Sequence, residues 1–237
     1  MKAISLFSGM GGDSLGMKKA GFEVIAHSEI NPVFQQTHKV NFPDCQLIGT
    51  GDLSKTTDDE LASFAGDPLG PVDLIFAGFP CQGFSNAGQK KVNDPRNTLF
   101  KEFLRATKII QPNYIIGENV KGLLSRKNFE GRNYIDLIKE SFEEEGYKIF
   151  YETLLASDYG LPQKRERLFI VGIKESILTE LSSMQSLWDH IPVPFGDDTY
   201  PLCIPTGPCA IGRPQKGLVY TLFFLLMRWW LNIKKNH

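Results

Sequence analysis

Short apolar runs and longer amphipathic segments alternate from the start of the chain to about residue 175. The runs predict strands at Ala3–Phe7, Glu23–Ser28, Leu74–Gly78, Tyr114–Glu118, Lys148–Leu155 and Leu168–Ile173. Between them, helical spacing of the apolar positions predicts helices at Asp13–Ala20, Pro32–Asn41, Thr98–Ile110 and Tyr134–Glu145, the first stopped by Gly21. Strands alternating with helices of this length predict a doubly wound, mostly parallel α/β sheet. In such a sheet, ligands bind at the carboxyl ends of the strands.

The alternation stops near residue 176. Six of the 14 prolines, Pro192, Pro194, Pro201, Pro205, Pro208 and Pro214, fall in a stretch without a visible period. From Leu218 to Leu231 the chain is apolar on every side of a helical wheel, so this segment needs burial against something. It contains Arg228 and falls short of the roughly 20 residues that cross a bilayer, so no membrane span is expected. The reading is therefore a Rossmann-like domain at residues 1–175 and an irregular tail at residues 176–237.

Composition narrows the class. At 42% hydrophobic and 22% charged residues the chain is globular, which excludes disorder or a fibrous repeat for the whole. A net charge of -1 supplies no bulk positive field, so nucleic-acid binding has to come from a local patch or from a partner. Cys45, Cys81, Cys203 and Cys209 form no C-x-x-C, and the N-terminus carries no apolar leader. Neither disulfides nor a metal site is expected, and an intracellular location is.

Chemistry collects at the predicted strand tips. The first strand runs into Phe7-Ser8-Gly9-Met10-Gly11-Gly12, and Glu29 ends the next strand about 20 residues after the first glycine. Such a loop either simply turns the chain or lets the backbone approach a nucleoside, with Glu29 accepting both ribose hydroxyls. The spacing is not G-x-G-x-x-G, and no Gly-Lys-Ser/Thr follows to hold a triphosphate. S-adenosylmethionine, a nucleoside without phosphate, fits better. Asp52 could then accept from the adenine amino group, although taken alone it reads as a turn former, and the Phe7 ring could lie beside the sulfonium. The third strand leads into Phe79-Pro80-Cys81-Gln82-Gly83-Phe84-Ser85, placing a cysteine just past a strand tip. A lone cysteine usually packs in a core, whereas one in this setting faces the ligand crevice. Glu118 ends an apolar strand, where burial would hold its proton to higher pH, or it serves with Asn119 as a helix cap. Arg165 and Arg167, two apart before the last strand, point to one face and suit carboxylate or phosphate oxygens.

Taken in order, Phe7-Ser8-Gly9-Met10-Gly11-Gly12, Pro80-Cys81-Gln82-Gly83-Phe84-Ser85, Glu118-Asn119-Val120 and Gln163-Lys164-Arg165-Glu166-Arg167 resemble the motifs of DNA (cytosine-5) methyltransferases. Asp94-Pro95-Arg96-Asn97-Thr98-Leu99-Phe100 resembles the segment between nucleophile and acid, with Asn97, Thr98 and Leu99 closing the cofactor pocket. The resemblance covers about residues 1 to 175. Ser5 stands where the family often has Asp. The family's last two C-terminal motifs are not found, so a short or truncated target-recognition region is expected at residues 176–237.

The resemblance implies an S-adenosylmethionine-dependent transfer of methyl to carbon 5 of cytosine in double-stranded DNA, in a restriction-modification, phage or viral setting. Cys81 would add to carbon 6 of a base extruded from the duplex. Glu118 would hold a proton at ring nitrogen 3, Arg165 would orient Glu118, and Asn119 and Pro80 would fix the loops, with Arg167 completing the catalytic set. The implied cofactor residues are Phe7, Ser8, Gly9, Gly11, Gly12, Glu29, Ile30, Asp52, Leu53, Gly78, Pro80 and Leu99. Two alternatives stay open: an impaired cofactor-binding subunit needing a second polypeptide for the target region, and a tRNA cytosine-5 methyltransferase.

Overall fold

The computed structural model describes residues 1–66, 70–80, 99–128, 131–159 and 163–180. Among the described residues seven strands form one sheet: β1 (Lys2–Leu6), β2 (Glu23–His27), β3 (Gln46–Leu47), β4 (Leu74–Ala77), β5 (Tyr114–Asn119), β6 (Tyr147–Leu155) and β7 (Glu166–Lys174). Their order is β3-β2-β1-β4-β5-β7-β6. The helices are α1 (Gly12–Lys19), α2 (Pro32–Asn41), α3 (Asp58–Ala62), α4 (Leu99–Ile110) and α5 (Tyr134–Glu143).

Alternation along the strands feeds two cores, one on each face of the sheet. Ile4, Leu6, Ile75, Ala77, Ile115 and Ile170 meet Phe103, Ile110, Ile138 and Phe142 from α4 and α5. Ala3, Leu74, Phe76, Ile116, Phe169 and Val171 face the other way, onto Met17, Ala20 and Phe22 of the α1 layer. All four residues of β4 are buried, as a central strand covered on both faces requires.

The ten elements expected from periodicity are present, with no end displaced by more than two residues. The shift that matters for the site is at β7, which begins at Glu166 and so takes Arg167 into the strand. β3 and α3 had no counterpart in the sequence reading, because two and five residues are too few to show a period. The mostly parallel sheet has one reversed strand: β7 is antiparallel to both β5 and β6. That reversal sets the start of β7 beside the end of β5, pairing Leu168 with Asn119 and Phe169 with Glu118. A strand opening thus reaches the rim where the parallel strands finish. The expected boundary at residue 175 falls within the described residues, where the 3-10 turn Glu175–Glu180 follows β7; the tail from residue 181, including Leu218 to Leu231, lies outside them.

Candidate functional site

At the tip of β1, Phe7 adopts a left-handed conformation with φ 57°. Such a φ is uncommon outside glycine, and it is held here by two bonds from the β2 tip. Phe7 N donates to Ser28 Oγ at 3.1 Å and Ser8 N to Ser28 O at 2.8 Å. The following loop is gripped by Glu29. Its Oε2 accepts from Gly9 N at 2.7 Å and its Oε1 from Asn31 N at 2.9 Å. Asn31 in turn caps α2, accepting from Val33 N, with Pro32 in the first turn. Gly11, the N-cap of α1, has φ 91°, and a Cβ there would stand 2.5 Å from Phe42 Cε2 and 2.9 Å from His38 Cδ2.

Behind this loop lies a pair of histidines that no motif announces. The rings of His27 and His38 stack with centroids 3.6 Å apart at 10°. His27 Nδ1 shares a hydrogen bond with Ser8 Oγ at 3.1 Å, and His38 Nε2 with Ser14 Oγ at 2.8 Å. Burial, with Lys39 adding to it, lowers His27 to about 4; burial and His27 lower His38 to about 3. Both rings are therefore neutral at physiological pH. Asp13 in α1 accepts from the Ser5 hydroxyl and, through Oδ1, from Ser14 N at 2.8 Å. Ser5 thus supplies a donor to an aspartate one element away.

A second wall comes from the segment after β3. Gly51, at φ 89°, packs where a Cβ would collide with the Glu29 carbonyl and the Gln35 amide. Gln35 Nε2 donates to Glu29 O at 2.6 Å and to Thr50 O at 3.0 Å, tying this segment to the β2 tip. Asp52 is a turn former: its Oδ1 accepts from Ser54 N at 3.1 Å and Ser54 Oγ at 2.6 Å, and its Oδ2 lies 3.3 Å from Lys55 Nζ. The Ser54 hydroxyl, ahead of Lys55, holds its carboxyl below the usual carboxylate range.

The third wall is chemical. Burial pushes the Glu118 carboxyl upward, against the pull of Arg167 and Arg165. Its Oε1 pairs with Arg167 Nε at 2.8 Å, and both side chains are mostly enclosed, at 17% and 18% exposure. The expected partner was Arg165; the structure gives the ion pair to Arg167, because β7 starts early enough to bring that residue alongside β5. Arg165 stands near enough to act on Glu118 electrostatically, and its buried Nε has no hydrogen-bond partner among the described residues. Asn119 spans the rim: its Nδ2 donates to Phe79 O at 3.3 Å and its Oδ1 accepts from Val120 N at 2.8 Å. It thereby ties the β5 tip to the segment leading to Pro80. Gly78 leaves the floor open, since even a Cβ there would be 4.0 Å from both Glu118 Oε2 and Phe7 O. Phe7, Glu29, Asp52, Gly78 and Glu118 thus end at one rim of the sheet. Cys81, the expected nucleophile, lies outside the described residues, as do Asn97 and Thr98; Leu99 opens α4.

The family model for C-5 cytosine-specific DNA methylases matches residues 1–193. The chain belongs to this family. Among curated relatives, the type II methyltransferase M.XorII of Xanthomonas oryzae pv. oryzae is 38% identical over 176 residues, which are 73% of this chain and 41% of that protein. The type II methyltransferase M.AquIA of a Picosynechococcus species is 39% identical over 177 residues, 72% of this chain and 71% of that one. A crystal structure assigned as a DNA modification methyltransferase encoded within an E. coli prophage matches at 34% identity and TM-score 0.63, over 75% of this chain and 47% of that chain. This C-5 methylase chain spans about half the length of the curated relatives it matches, M.AquIA being nearer its own length.

Methylases of this family take their methyl group from S-adenosylmethionine, and the rim suits that molecule. Each Glu29 oxygen accepts one backbone N–H, and a carboxylate has about four lone-pair positions, so two hydroxyls can still be received. Ile30, beside Glu29, is 68% exposed. Among the described residues no group of His, Cys, Asp or Glu could hold a metal ion, and no helix is long and apolar enough to cross a membrane.

Proposed function

We propose that this chain carries the catalytic part of a DNA cytosine-5 methyltransferase, with residues 1–175 as the catalytic unit acting inside the cell on double-stranded DNA. The observation that carries the reading is the enclosed Glu118–Arg167 pair at the β5 tip, facing the open floor at Gly78 beside the glycine loop. A carboxyl raised by burial yet gripped by a guanidinium is suited to hold a proton at ring nitrogen 3 of cytosine.

S-adenosylmethionine, when bound, supplies an electrophilic methyl group. Glu29 would receive the ribose hydroxyls, and the Asp52–Leu53 turn with Ile30 would border the adenine. Gly9, Gly11 and Gly12 would let the backbone come close, with Ser8 fixed from behind by His27. Cys81 as thiolate adds to carbon 6 of the extruded base while Glu118 protonates nitrogen 3, which turns the ring into an enamine nucleophilic at carbon 5. Carbon 5 would then take the methyl group, the pair of the broken bond staying on the donor sulfur; a base removes the carbon 5 proton, elimination returns the electron pair of the carbon 6–sulfur bond to Cys81, and nitrogen 3 gives its proton back to Glu118. Arg167 fixes Glu118, Arg165 stands beside both to meet the base oxygen, and Asn119 holds the loop that carries Pro80 and Cys81.

The relatives' names as type II methyltransferases support a restriction-modification setting. The matching family is one of DNA enzymes, which favours DNA over tRNA as substrate. Target recognition would come from residues after 175 or from a second polypeptide. Cys81→Ser in the full chain tests the chemistry: tritiated-methyl transfer to DNA is expected to vanish while calorimetric cofactor binding stays near wild type. Retained turnover would sink the nucleophile assignment. Where the unaltered chain is inert alone, sequence-specific methylation on mixing with a second polypeptide supports the subunit reading.

A further inference from the structure

Arg105 stands on α4 less than two turns after Leu99, and its guanidinium reaches three separate parts of the chain. Nε and Nη2 donate to Glu102 Oε2 at 3.0 and 2.7 Å. Nη1 donates to Asp58 Oδ1 at 2.6 Å. Nη2 also lies 2.7 Å from Leu53 O and 3.0 Å from Thr56 O. Those two carbonyls bracket the 3-10 turn Leu53–Lys55, whose N-cap is Asp52.

A single 3-10 turn has little internal bonding to hold it in place. The carboxylates alone do not explain the arrangement: Asp58 is 74% exposed, and an exposed pair contributes little, while Glu102, 23% exposed, belongs to α4 itself and ties Arg105 to no other segment. What is specific is the planar fork that takes two backbone carbonyls and two carboxylates at once, which an ammonium on a flexible stem cannot do in the same geometry. Both the turn bearing Asp52 and the helix beginning at Leu99 are thereby locked to one side chain.

We infer that Arg105 is a positioning residue for the adenine-facing wall of the cofactor pocket, setting both affinity and recognition of the adenine amino group without touching the cofactor. The inference rests on the proposed function, in which Asp52 and Leu53 meet the adenine.

The test uses the full chain, with Arg105→Lys and Arg105→Met titrated calorimetrically against S-adenosylmethionine and its inosine counterpart, in which oxygen replaces the 6-amino group. Thermal melts monitor folding, and the lysine variant keeps the charge should the methionine variant not fold. Wild type is expected to prefer the amino form. In the variants the dissociation constant for S-adenosylmethionine should rise about ten-fold or more, as lost charge-assisted bonds let the turn drift, while the inosine form changes little. Glu29→Ala, on the ribose side, should weaken both forms alike. Unchanged discrimination with only a lower melting temperature would overturn the role of Arg105, as would equal weakening of both forms. A wild-type chain that binds neither nucleoside overturns the cofactor reading and this role together, which separates the two failures.

Discussion

Acidification should loosen this fold through the stacked histidines. His27 and His38 are 2% and 0% exposed and are lowered to about 4 and about 3, while an unfolded imidazole titrates near 6.5. Below pH 6.5 the unfolded chain therefore binds more protons, and stability falls with falling pH until the folded values are reached. One pKa unit corresponds to about 1.4 kcal/mol, so between pH 6.5 and 5 each ring removes about 2 kcal/mol and the pair about 4 kcal/mol. That is a large share of the roughly 5–15 kcal/mol that holds a domain. The groups facing the pair do not offset it. Lys39 already acts against its protonation, and Cys45, pushed up to about 12, stays neutral throughout. Glu118 has the opposite sign, since a carboxyl raised in the fold adds stability on acidification. Urea denaturation followed by circular dichroism at pH 7.5, 6 and 5 reads the loss. His38→Gln retains a polar group toward Ser14 but cannot titrate, so it should remove about half of the pH slope despite a lower starting stability. Parallel losses in variant and wild type, or a folded-state imidazole resonance titrating near 6.5, would refute the reasoning. The rings stay neutral in the folded chain over this interval, so their bonds to Ser8 and Ser14 persist and the cofactor affinity of the folded chain should hold until the pH nears 4.

Glu29→Ala should weaken S-adenosylmethionine binding by about 1 to 3 kcal/mol, since it removes both the proposed ribose acceptor and the bond to Gly9 N; an unchanged calorimetric constant would remove Glu29 from the proposed pocket. Glu118→Gln should slow methyl transfer at saturating DNA on the order of 100-fold while altering binding far less, because an amide keeps the shape but donates a proton poorly. A transfer rate equal to wild type across the pH range would exclude Glu118 as the acid. Gly11→Ala should cost about 2 to 4 kcal/mol in thermal or urea denaturation, combining a left-handed backbone with a Cβ pressed on Phe42 and His38. A near-neutral result would show that the ring pair can move aside.

What the sequence disclosed depended on how local each feature is. The glycine loop and Glu29 were readable because strand, turn and next strand tip follow one another within about 20 residues. The choice of Arg167 over Arg165 as the partner of Glu118 was not, since it depends on the register of an antiparallel pair far apart in sequence, and periodicity carries no direction. The His27–His38 stack escaped notice because two isolated histidines carry no signature until β2 and α2 pack together. Arg105 reads as an ordinary surface residue of an amphipathic helix until the turn after Asp52 folds against it.

The reversal of β7 also fixes where the chain goes next. The strand opens at the rim with Glu166 and Arg167, and closes at Lys174, whose N–H donates to Asn113 O at the entry edge of β5. Nine residues of strand correspond to about 30 Å, so the backbone departs on the side of the molecule away from the reactive groups. Any later segment meant to touch a nucleobase first has to spend a return path of about nine extended residues, or a longer helical one, climbing back along the sheet. A separate polypeptide bears no such tether cost and can approach the open rim directly.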